Sequence, residues 1–156
     1  HLHVATPEDG ATARYNQTVY AFWFSSVFRQ YISAWKIQLQ LLQRTGKSFV
    51  SIQNDMLWYH MIQPAYLVGV FLLFSLDVML FAALVGVIAF LFLECINYIE
   101  HYGLTRKHLG DGKYEHVQPR HSWNAAQKAS NWLLINLQRH SDHHYKPDRR
   151  FPVLQT

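Results

Sequence analysis

The chain has 156 residues, half of them hydrophobic, and a formal net charge of +4. Its basic residues are scattered on either side of an apolar stretch, which argues against the dense stripe of a nucleic-acid binder and for a membrane surface. The single cysteine, Cys95, cannot form an intrachain disulfide, so nothing argues for a secreted, cross-linked domain; it reads as a small buried apolar residue. No Lys or Arg falls between Ser48 and Thr105, and a charge desert of that length is membrane-like. The chain opens at His1 with neither a methionine nor a charged-then-apolar leader. It is therefore expected to be a fragment of a longer protein.

In chain order, Tyr20, Trp23, Phe24, Val27, Phe28, Tyr31 and Trp35 recur at steps of three and four, with Arg29, Gln30 and Ser33 between them. This predicts an amphipathic helix, suited either to a headgroup region or to plain packing. Thr45–Ser48 reads as a linker. From Met56 to Tyr98 the only charged residues are Asp77 and Glu94. That run accommodates two spans, Met56–Leu76 and Val78–Tyr98, each near the roughly 20 residues that cross a bilayer. A tight turn near Ser75–Asp77 returns both ends to one side, where all the Lys and Arg residues then lie, and the positive-inside rule makes that side cytoplasmic. His60, Gln63 and Pro64 weaken the first span, which is expected to be kinked, tilted or broken.

Beyond the hairpin, Gly110-Asp111-Gly112 carries turn chemistry and 113–122 reads as a loop. A final helix is expected from near Asn124, with Asn124 and Gln127 as its capping pair. Its stripe of Ala126, Ser130, Leu133 and Leu137 continues directly into His140 and His144. The predicted fold is all-α: a fragment of a membrane helical bundle with a transmembrane hairpin and histidine-bearing helices on the cytoplasmic side. Its parts are an end segment with an interfacial helix (1–55), the hairpin (56–98) and a metal-binding region (99–156).

Two clusters carry chemistry. In Leu137-Gln138-Arg139-His140-Ser141-Asp142-His143-His144, the i, i+3 and i+4 imidazoles share a helix face and can converge on a metal. Neutral imidazole suits iron, zinc, copper or nickel. In the second cluster Glu94, Asn97 and His101 lie at steps of three and four near the end of a span, with Gly103 as C-terminal cap. Glu94 would sit about 10 Å deeper than His101, where an ionisable group is costly and usually functional, although it can also be protonated or snorkel. His60, His108 and His116 are isolated and read as ordinary polar residues.

Asn97-Tyr98-Ile99-Glu100-His101-Tyr102-Gly103-Leu104 resembles the N-Y-I-E-H-Y-G-L motif of the membrane-bound non-haem di-iron alkane monooxygenases and their xylene monooxygenase relatives. Leu137–His144 resembles their L-Q-R-H-S-D-H-H box, and both match at every position. His1-Leu2-His3-Val4-Ala5-Thr6-Pro7 is similar to the close of the family's middle histidine box, with His1 as its last histidine and His3 outside the ligand set. Tyr114-Glu115-His116 and His121-Ser122-Trp123-Asn124 continue the resemblance.

It implies two iron ions held in part by His1, His101, His140, His143 and His144, the other ligands lying upstream. Glu94, Asn97, Glu100, His121 and Asp142 are expected to orient ligands. The implied reaction is O2-dependent terminal hydroxylation of an alkane to a primary alcohol, with electrons from rubredoxin, in the bacterial inner membrane and with the site toward the cytoplasm. The basic tail 139–150 could steer an acidic partner, though a solvated, lipid-facing tail explains it equally. The fragment alone is expected to be inactive. Competing readings are a fatty-acid desaturase or sterol hydroxylase, a xylene-type monooxygenase, and, outside enzymes, a metal transporter or metal-binding membrane protein. A zinc protease is disfavoured because no H-E-x-x-H occurs.

Overall fold

Neither glycine nor proline interrupts Val19–Arg44, and in the computed structural model, which describes residues 3–154, this whole stretch forms helix α1. It stops before Gly46, whose φ of +64° falls in the expected linker. The aromatic stripe packs only in part: Trp35 stacks on Phe49 and Tyr31 meets His60. Tyr20, Phe24, Phe28 and Tyr31 stay exposed, whereas Phe22, Ser26, Gln38 and Leu42 are buried. A continuous apolar face of this kind is stable against lipid or further protein, not water.

The described chain divides into two compact units, 27–93 and the union of 3–26 with 94–154. The first holds the apolar hairpin of α2 (Asp55–Leu73) and the greater part of α3 (Leu76–His101), both long and apolar enough to cross a membrane. The turn falls at Phe74–Ser75, slightly ahead of the expected position. Phe74 leaves the helical region with φ −127° and ψ −93°. The Val78 N–H meets Ser75 Oγ at 3.4 Å, and Asp77 sets a carboxylate at the positive end of α3. The expected break at Pro64 does not occur, and α2 runs through it. A single lost backbone donor is tolerated when the ladder is intact on both sides. His60 is engaged inside this unit, with Nδ1 2.6 Å from the Met56 carbonyl and Nε2 2.9 Å from the Tyr31 hydroxyl.

In the second unit the segment from Val4 to Ser26 is tied to the end of α3 and to the extended segment that leaves it. The Tyr98 hydroxyl donates to the Gln17 carbonyl at 2.7 Å, Gly103 N–H to Ala13 O at 2.9 Å, and Arg106 N–H to Ala5 O at 2.8 Å. Gly103, at φ +69°, follows the last residues of α3 as the expected cap. A two-stranded antiparallel hairpin follows, β1 (His108–Gly110) with β2 (Lys113–Tyr114), turning at Asp111–Gly112. Next come a 3-10 turn (Pro119–His121), α4 (Lys128–Leu133) and α5 (His140–Tyr145).

The single final helix expected from Asn124 is therefore two short ones. Ile135 and Asn136 take φ of +52° and +60°, which no continuous α-helix accommodates. The cause is Asn131. Its buried side chain donates to the carbonyls of Ala125 and Gln127 at 2.9 Å each, and its own carbonyl accepts the Asn136 N–H at 2.7 Å, closing the chain back on α4. Leu133, on the expected core stripe, is 79% exposed.

Candidate metal centre

α3 ends at His101 and α5 begins at His140, and the fold brings these termini together. The Nε2 atoms of His101 and His140 are 2.9 Å apart, and those of His140 and His144 are 2.7 Å apart. His140 and His144 are one helical turn apart on α5, so they share a face. An imidazole nitrogen carries either one proton or one in-plane lone pair, so His140 Nε2 cannot serve both neighbours as an ordinary hydrogen-bond partner. A cation shared by three converging lone pairs removes the conflict. The three donor atoms lie within 4.8 Å of one another, near enough to close on one ion. The donor set therefore fits a metal ion.

The protonation states agree. His140 is held down to about 3, first by burial and then by the neighbouring imidazoles of His101 and His143; burial foremost, then the imidazoles of His140, His101 and His143, lower His144. Both are neutral ligands at any physiological pH.

Around the trio, Glu100 is buried and places Oε2 3.3 Å from His140 Nδ1, within ion-pair distance but off the line of a hydrogen bond. Ser122 Oγ lies 3.5 Å from His101 Nδ1, at the limit of such a contact. Asn124 clamps the start of α5: it accepts the Ser141 N–H at 2.9 Å and donates to Ser141 Oγ at 2.7 Å. Asp142 accepts Arg149 Nη1 with both oxygens, at 3.1 and 2.8 Å, which fastens the segment after α5 to it. Ser122, Asn124 and Arg149 were not singled out for these roles by the sequence. The first two lie in the matched segment His121–Asn124, which is the signal that could have found them.

Of the residues expected to orient ligands, Glu94 is buried and accepts the Asn97 amide at 3.2 Å. His121 is buried with both ring nitrogens engaged: Nδ1 accepts the Gln118 N–H at 2.9 Å and Nε2 faces Glu115 Oε1 at 3.2 Å. Burial lowers its pKa, and the Lys107 N–H is the largest of the influences that lower that of Glu115.

The expected convergence of three imidazoles from the terminal box is not what forms. His143 lies on another side of α5, its ring 6.0 Å from that of His140, and it lines a separate cavity with Leu134, Leu137 and Leu154. His101 takes the third place instead. His3 pairs with Glu8 at 2.9 Å, His108 lies against Tyr114, and His116 is exposed. The remaining expected ligand, His1, lies outside the described residues.

The fatty acid desaturase family profile matches residues 1–156. The chain is 39% identical over 155 residues to alkane 1-monooxygenase 2 of Pseudomonas aeruginosa and 40% identical over 155 residues to alkane 1-monooxygenase 2 of Alcanivorax borkumensis, covering 99% of this chain and 41% of each relative. It is 29% identical over 161 residues to the hydroxylase component of the xylene/toluene monooxygenase of Pseudomonas putida, with 99% of this chain and 41% of that protein covered. The chain thus spans about two fifths of the length of the curated relatives it matches.

Proposed function

The chain belongs to the fatty acid desaturase family, and from that premise we propose that it forms the C-terminal part of an alkane 1-monooxygenase. The whole protein hydroxylates the terminal carbon of an alkane with O2 at a histidine-held pair of iron ions. The observation that carries this reading is the meeting of His101, His140 and His144, supported by likeness to alkane 1-monooxygenases along 99% of the chain.

Iron bound at such a site supplies the redox chemistry that side-chain acids and bases lack: activation of O2 and transfer of one oxygen atom into a carbon–hydrogen bond. The protein's own residues do the rest. His101, His140 and His144 hold an ion through Nε2, while His1, His143 and histidines upstream complete the pair. Glu100 offsets positive charge beside His140, and Asn124 and Arg149 hold α5 in place. Ile96, Ile99 and Trp123 line a small, mostly apolar cavity next to Glu100. An alkane dissolved in the bilayer reaches the centre without crossing water, because α2 and α3 are membrane spans.

The protein resides in the bacterial inner membrane with the centre toward the cytoplasm, as the flanking Lys and Arg residues favour. Rubredoxin delivers the electrons, and the basic stretch 139–150 offers it a complementary surface. The fragment alone is inactive because its ligand set is incomplete.

The family's name gives one specific reason to weigh acyl desaturation. Full-length protein supplied with ferrous iron, rubredoxin and its reductase, then offered an alkane and an acyl substrate, separates the two. Primary alcohol from the alkane is expected; desaturated acyl product with no alcohol would overturn the proposal.

A further inference from the structure

Glu115 lies at the end of the β1–β2 hairpin and is not itself among the converging histidines, yet its carboxylate is the hub of a network that ends on them. Oε1 accepts the Lys107 N–H at 2.9 Å and faces His121 Nε2 at 3.2 Å, while Oε2 pairs with Arg120. The Gln118 N–H, at 2.9 Å, occupies the lone pair of His121 Nδ1. The single proton of neutral His121 therefore sits on Nε2 and is donated to Glu115. This fixes both the tautomer and the rotation of a ring that is 3% exposed at its side chain.

The backbone that His121 anchors runs directly against the end of α3. Ser122, the next residue after His121, places its Oγ 3.5 Å from His101 Nδ1. Trp123 N–H donates to the Glu100 carbonyl at 2.8 Å and its indole N–H to the Tyr102 carbonyl at 3.0 Å. Ser122 and Trp123, directly after His121, thus hold the ring of His101 and both its chain neighbours. The outer ring nitrogen of a metal-binding histidine needs such support to keep the inner one aimed at the ion.

We propose that Glu115 is a positioning residue for the metal centre, acting through His121 to orient His101 toward His140 and His144. The inference rests on the metal-binding reading above, and it assigns work to a carboxylate that contacts no residue of the trio. Arg120 touches only Oε2, so it shares the hub without sharing the path to His121.

The test uses the full-length protein in membranes or detergent, loaded with ferrous iron, and measures the rate of iron loss to a chelator per folded protein. Glu115→Ala and Glu115→Gln are expected to lose iron about 10- to 100-fold faster than wild type, alanine more so, with altered optical and Mössbauer signatures of the iron. Arg120→Ala is expected to keep the wild-type rate. If one Glu115 variant fails to fold, the other decides. A wild-type rate in the folded Glu115 variant overturns the proposal, as does an Arg120→Ala rate equal to that of Glu115→Ala, which would make the hub a fold staple only. Wild-type protein that binds no iron at all would instead sink the metal-binding reading, so the two failures are distinguishable.

Discussion

His101 and His140 are 39 positions apart in the chain, yet their Nε2 atoms stand 2.9 Å from each other in a buried contact. That contact joins the last residue of a long apolar helix to the first residue of a six-residue one. So short a helix has little stability of its own. Its place is set by what is tied to it, and several predictions test those ties.

Glu100 brings a buried carboxylate to 3.3 Å from His140 Nδ1, and neither of its oxygens makes a hydrogen bond. A cation at the trio would offset that charge. Glu100→Gln is expected to weaken iron binding about 10- to 100-fold, measured by chelator competition. The same variant without iron is expected to melt at a higher temperature than metal-free wild type at neutral pH, because a carboxyl that must be either buried charged or made to take up a proton has been replaced by a neutral amide. Unchanged affinity would contradict the role.

His140, held down to about 3, and His144, lowered for the same reasons, both titrate near 6.5 in an unfolded chain. Below pH 6.5 the unfolded state takes up protons that the folded state refuses, so metal-free protein loses stability as pH falls toward 3. Thermal midpoints should decline as pH falls from 6.5 downward. Replacing His140 and His144 with alanine should flatten part of that decline; an undiminished slope would show that other groups cause it.

Asn124→Ala removes both hydrogen bonds that fasten Ser141. At about 1 kcal/mol for each, the loss is about 2 kcal/mol, read from denaturant or thermal unfolding. Iron retention should drop alongside stability because α5 carries two of the converging rings. Loss of stability with iron retention intact would separate this clamp from the centre.

Ile135 is a β-branched residue at φ +52° with 65% of its surface exposed. Ile135→Gly relieves left-handed strain of about 1–2 kcal/mol against an entropic cost of about 0.5–1 kcal/mol. The thermal midpoint should rise; a fall would mean that the side chain packs on something the full-length protein supplies.

The hairpin could be read from the sequence because it depends on local composition: a run without Lys or Arg and a turn near Ser75. The histidines could be read because the motifs around His101 and His140–His144 match at every position. The break at Ile135–Asn136 was not legible. The apolar spacing from Ala126 to Leu137 suits one helix, and only the buried hydrogen bonds of Asn131, which depend on tertiary placement, end it early. For the same reason the turn of His143 away from His140 could not be foreseen, since the third partner is decided by where α3 ends. Periodicity found α1 but left open what covers it, because an aromatic stripe looks the same whether protein or lipid is to cover it.

Everything here depends on three rings sharing one ion. The most direct measurement is the iron content of the full-length protein, together with iron K-edge X-ray absorption, for wild type and for His101→Ala, His140→Ala and His144→Ala. Each substitution is expected to lower bound iron and to remove imidazole scattering from what remains. Wild-type iron content and an unchanged spectrum in all three variants would contradict the account.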